Sequence, residues 1–123
     1  MITPSSSPCA VLKGVELLIL DAQTVDETKS VVVCPGQGVK NHTITLRSSA
    51  SITGAAVVET ANDPNYTGVW NPLSGSPIDL STIGPTAAGE LQLFYSNIVV
   101  TALRVRISTV VAGGTLSASY LGS

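Results

Sequence analysis

Between residues 91 and 121 the chain alternates apolar and polar positions with a period of two. Leu103, Val105 and Ile107 point one way, and Ala102, Arg104 and Arg106 the other, because side chains alternate across an extended strand. After Gly113-Gly114, Leu116, Ala118 and Tyr120 alternate against Ser117, Ser119 and Leu121. The stretch predicts three consecutive strands with a covered apolar side and a wet polar side. They are expected to form one sheet, the core half of a small sandwich.

The same period recurs upstream. His42, Ile44 and Leu46 alternate with Thr43, Thr45 and Arg47, and Ile44 and Leu46 set the buried side. Residues 15–20 and 29–34 predict two earlier strands, and Pro35-Gly36 closes the second. Residues 54–61 predict a fourth strand that opens at Gly54, and residues 69–73 a short one carrying Trp70. Ile78, Leu80 and Ile83 predict another short, partly buried strand. Residues 21–28, 62–68, 75–77 and 85–89 are turns or loops by composition. No 3.6-residue period runs far enough to make a helix. The expectation is an all-β fold: an antiparallel β-sandwich, jelly-roll or Ig-like, of eight or nine short strands. Residues 1–12 form a Ser/Pro-rich extended arm, and residues 13–123 one domain.

Composition agrees with this class. The chain holds 15 Val, 8 Ile and 13 Thr against 1 Phe, 1 Met and 1 Trp, a mix that fits pleated surfaces. Charged residues are only 11% of the total, fewer than an ordinary monomer places on its surface, so part of that surface is expected to be covered in an assembly. The net charge of −2 argues against nucleic-acid binding, which needs a basic stripe. The one basic cluster is Arg104 with Arg106, readable as an outward polar row or as a partner contact. No membrane-length apolar run and no secretory signal are visible, which predicts synthesis in a cytosol. Cys9 and Cys34 are too few for a disulfide framework, and are expected to be reduced and buried unless their segments are neighbours.

Residues able to carry chemistry are sparse. His42 is the single histidine, and its place on a strand suits a hydrogen-bonded structural residue better than a mobile acid–base. The eight acids are scattered, with no spacing that points to a catalytic pair. Gly36-Gln-Gly38 and Gly113-Gly114 read as hairpin turns, without the lysine and helix of a phosphate loop. Asn62, Asp63 and Asn65 form an Asx-type turn more readily than a calcium site. Asn41-His-Thr43 and Asn65-Tyr-Thr67 match the glycosylation pattern by chance. Trp70 either fills the space between the sheets or, with Tyr66, forms an exposed platform for a sugar ring. The expectation is no enzyme, no cofactor and no metal.

Five pieces in order carry a resemblance: Val57-Val-Glu-Thr-Ala-Asn-Asp63, Trp70-Asn-Pro-Leu73, Ala88-Gly-Glu-Leu-Gln-Leu-Phe94, Leu103-Arg-Val-Arg-Ile107 and Ala112-Gly-Gly-Thr-Leu-Ser117. Together they resemble small β-sandwich structural proteins of tailed bacteriophages, over about half the chain. The insertion of Pro64-Asn-Tyr-Thr-Gly68 before Trp70 departs from that pattern, and residues 1–53 have no counterpart in it. The resemblance implies a virion component made in the host cytoplasm, with Trp70 packed inside and the 103–107 strand central. Its first implied role is capsid decoration (cement), which stabilises the outer shell by bridging major capsid subunits. A tail or head-fibre component, or a carbohydrate-binding module, is the alternative. The implied partners are the major capsid protein and further copies of the chain itself, with no nucleic acid and no membrane. Ile2, Pro4 and Pro8 of the arm, Tyr66, and Arg104 with Arg106 are the candidate contacts.

Overall fold

The computed structural model describes residues 17–25, 39–61, 70–73, 75, 77–98 and 100–123. Within them lie eight strands: β1 (Leu17–Gln23), β2 (His42–Ser48), β3 (Thr53–Ala61), β4 (Asn71–Pro72), β5 (Ile78–Asp79), β6 (Gly89–Tyr95), β7 (Ala102–Ala112) and β8 (Leu116–Gly122). All pairings are antiparallel, and they build two sheets. One sheet runs β1-β8-β2-β6. In the other, β3 pairs β7 along one side and the short β4 and β5 along the opposite side. The chain is all-β, as its alternation predicts. The arm, the 29–34 strand, both cysteines, the 62–68 loop and Gly36-Gln-Gly38 lie outside the described residues.

The core lies between the two inner faces. β2 contributes Ile44 and Leu46, and β8 contributes Leu116, Ala118 and Tyr120. Ala56 and Val58 of β3 and Leu103, Val105 and Ile107 of β7 close on them from the second sheet. Each fully buried side chain of this size contributes roughly 1.5–3 kcal/mol relative to exposure. The two rows meet because both sheets present β-branched and leucine side chains at every second position.

Three expectations are corrected here. β6, β7 and β8 do not form one sheet: β6 and β8 flank β2, while β7 crosses to pair with β3. Alternation assigns faces but not sheets, and the apolar row of β7 finds its cover by facing β8 rather than joining it. Gly113-Gly114 is therefore a corner between layers and not a hairpin turn. Gly113 sits at φ +92, and a Cβ there would stand 2.7 Å from the carbonyl oxygen of Ser51. Leu80 is not in a strand either. The chain leaves β5 into a single 3-10 turn at Leu80–Thr82, because the Asp79 carboxylate accepts from the Ser81 N–H and caps it.

Bulges shape the edges. β1 shifts register against β8 twice, and at the second shift Ala22 takes φ 51, with its N–H donating to Ser117 Oγ. β7 shifts twice against the start of β3, where Gly54 sits at φ 123. Beyond these bulges the Val111 N–H donates to the Thr24 carbonyl at 2.8 Å, so the β1 and β7 sides of the two sheets are joined.

Candidate functional site

The outward face of the β3–β7 pair carries the two arginines singled out by sequence. Cross-strand register sets Glu59 opposite Arg104 and Val57 opposite Arg106. Glu59 is buried, and its carboxylate takes both guanidiniums. Arg104 Nε donates to Oε1 at 3.0 Å, and Arg106 donates through Nε to Oε1 at 3.0 Å and through Nη2 to Oε2 at 3.2 Å. The group carries one net positive charge in a partly covered setting, where charge-assisted hydrogen bonds are strong. Arg104 and Arg106 are thus tied into the sheet surface rather than extended as a free polar row.

Trp70 completes this face. It is only 6% exposed, yet it does not lie between the sheets. It packs with Ala61 and Ala102 as a second, small apolar cluster on the outer side of β3 and β7. The Arg104 guanidinium carbon stands 4.2 Å from its ring centroid, a cation–π stack. The two small alanines leave room for the indole, and the arginine roofs it. Neither expectation for Trp70 holds: it is not between the layers, and its face is not open to a sugar. Tyr66, Ile2, Pro4 and Pro8 lie outside the described residues.

The outward face of β1-β8-β2-β6 is different. Three large apolar side chains stand in water: Leu18, Leu121 and, at 69% exposure, Phe94. Thr43 lies between Leu121 and Phe94 in register, so Leu121, Thr43 and Phe94 make one cross-strand row, and Leu18 stands opposite Ser119 in the next. Ser117, Arg47 and Glu90 make a parallel row four residues along, where Arg47 Nε donates to Glu90 Oε2 at 3.3 Å. Between the rows lie Ser119 and Thr45, both buried. The result is apolar points set in Ser, Thr and Gln, with a charged pair at one end.

His42 occupies the inner side at the start of β2, where alternation puts it. Its Nε2 contacts the Ile98 carbonyl at 3.1 Å, so that nitrogen carries the proton and Nδ1 accepts from the Tyr120 hydroxyl at 2.6 Å. Burial, opposed only by the Ile98 carbonyl, lowers the pKa of His42. Burial also pushes the Tyr120 phenol up to about 12. Both ring nitrogens are engaged, which suits support of the β2–β8 core. Among the described residues, no three His, Cys, Asp or Glu side chains gather as a metal would need. No helix among them is long and apolar enough to cross a membrane.

Sequence reasoning found Arg104 and Arg106 but missed Glu59, whose signal was an acid inside the apolar run 55–61. It also missed the Leu18, Phe94 and Leu121 set, because each looks ordinary alone and only the strand register brings them to one face. No protein-family model, curated protein sequence or solved structure matches the chain.

Proposed function

We propose that this chain is a structural component of a tailed-phage particle, a decoration protein that sits on the outer capsid shell and bridges major capsid subunits. The observation that carries the reading is the outward face of β1-β8-β2-β6, where Leu18, Phe94 and Leu121 stand exposed among Ser, Thr and Gln. Apolar anchors inside a polar surround are the anatomy of a protein–protein contact. The order of motifs resembling phage β-sandwich proteins, and the low charge of the whole chain, support the same reading. The mechanism is mechanical. Only the assembled lattice offers a composite site spanning two subunits, so binding stabilises the assembled state by mass action.

The test is to mix the purified protein with undecorated capsids. Co-sedimentation and a raised shell melting temperature are the expected result, both weakened by Phe94→Ser. Failure to bind any shell ends this reading.

A further inference from the structure

Natural sheets blunt their edges, because a row of unpaired N–H and C=O groups templates another strand. In this molecule the edges are treated unequally. β1 is broken by two register shifts and β7 by two more, and the two are joined by the Val111–Thr24 hydrogen bond. β4 and β5 are two residues each. Among the described strands, β6 alone is a long sheet edge with neither a register shift nor a described partner on its outer side. It pairs β2 over seven consecutive residues without a shift, and its sequence Gly-Glu-Leu-Gln-Leu-Phe-Tyr holds no proline or lysine. Its inner residues Leu91, Leu93 and Tyr95 pack against the core but are only half-buried.

The direction of the backbone groups of β6 follows from hydrogen bonds on the other side of β2. Asn41 and Ser123 exchange both N–H···O bonds, at 3.0 and 2.9 Å. Backbone direction alternates along a strand, so Thr43, Thr45 and Arg47 also face β8, while His42, Ile44, Leu46 and Ser48 face β6. Their partners Tyr95, Leu93, Leu91 and Gly89 therefore point into the ladder. The Gly89 N–H, which donates to Ser48 Oγ, confirms the phase. Glu90, Gln92 and Phe94 are left presenting their backbone groups outward.

We propose that β6 is a self-association edge: it pairs antiparallel with β6 of a second copy about a two-fold axis through Gln92, giving one continuous eight-stranded sheet. The register follows from counting. With Gln92 opposite Gln92 of the second copy, Glu90 faces Phe94 and Phe94 faces Glu90, so every outward backbone group is paired. Centring the axis on Leu91 or Leu93 leaves one of the three outward residues unpaired. The side chains agree with this choice. Leu91 meets Leu93 of the second copy at a close, non-hydrogen-bonded position, and Tyr95 meets Gly89, which offers no side chain to oppose it. The two Glu90 carboxylates stay four residues apart, so like charges do not meet. Pairing also covers the half-buried inner row of leucines.

Sedimentation equilibrium of the full chain, without capsids, tests this edge separately from shell binding. The expected result is a reversible dimer. Gln92→Pro removes an outward N–H and leaves the β2 ladder whole, and Gln92→Lys sets two like charges face to face at the axis. Each variant should raise the dimer dissociation constant at least tenfold, with an unchanged circular-dichroism spectrum for Gln92→Lys. In mild oxidation, Gln92→Cys should give a disulfide-linked dimer absent from the wild type, since a hydrogen-bonded pair has Cα atoms about 5.5 Å apart, within disulfide reach. Glu90→Cys should not, because its counterpart lies roughly 13 Å along the strand. A wild type that stays monomeric at about 100 μM, beyond typical weak dissociation constants, overturns the proposal. So does a folded Gln92→Lys that dimerises undiminished, or Glu90→Cys cross-linking as well as Gln92→Cys.

Discussion

His42 has both ring nitrogens engaged inside the sandwich, so acid must break an arrangement in order to charge it. A protonated Nδ1 becomes a donor, and the Tyr120 hydroxyl must turn to accept. The folded pKa lies below the ordinary value of about 6.5. The unfolded chain therefore binds the proton first, and stability falls as pH drops below about 6.5 toward the folded pKa. The thermal midpoint should be flat above that pH and decline below it, and His42→Gln should reduce the slope. Tyr120 acts at the other end: its contribution is whole below about 10 and fades as pH rises toward its folded value of about 12. Glu59 is the second residue with a large expected effect. Glu59→Gln removes the carboxylate that both guanidiniums share and should cost about 2–3 kcal/mol by urea titration, less than a fully buried pair because both arginines keep some water. Arg47→Ala should cost under about 1 kcal/mol, since the Arg47–Glu90 pair is nearly half exposed. Ser119→Ala should be neutral or stabilising: Ser119 Oγ is buried with no hydrogen-bond partner among the described residues, and its removal deletes an unpaid desolvation.

At the level of elements, β2 and β8 were legible residue by residue because one face of each is fully buried and the other is not. β3 was legible in extent, but Glu59 within it was not legible as an anchor. Its partners lie 45 and 47 residues away, and local alternation holds no information about them. The misread strand at Leu80 has a local cause. Ile78 and Leu80 continue a period of two, while Asp79-Leu-Ser81 is also a capping signature, and the capping hydrogen bond won. Gly54 was read as a strand opener, and its deeper role is steric. A Cβ there would lie 2.8 Å from the Val110 carbonyl oxygen and 2.9 Å from that of Thr109. Gly54→Ala must both hold φ 123 and push β7 away, so a loss above about 1 kcal/mol is expected, read as a lower thermal midpoint.

For the whole molecule, the two-layer plan was legible from alternation and turn spacing, but the division of strands between layers was not. The candidate surface was half legible. The arginines drew notice as the only basic cluster, and the fold lays both along the outer face of β3 and β7 onto Glu59, with Arg104 also over Trp70. Trp70 should emit at short wavelength and resist aqueous quenchers, and Arg104→Ala should shift the emission toward that of exposed indole.

The placement of β8 has a consequence for how the molecule comes to exist. It lies between β1 and β2 and is hydrogen-bonded to both, although it follows them by some 70 to 100 residues of chain. Until residues 116–122 are available, β1 and β2 are a split pair with an empty slot between them, and one whole layer cannot close. Assembly of the fold is therefore a late, long-range event, with refolding in milliseconds to seconds rather than microseconds. A ribosome stalled before residue 116 should carry a nascent chain that proteases digest freely, and release of that last strand should be the step that makes it resistant.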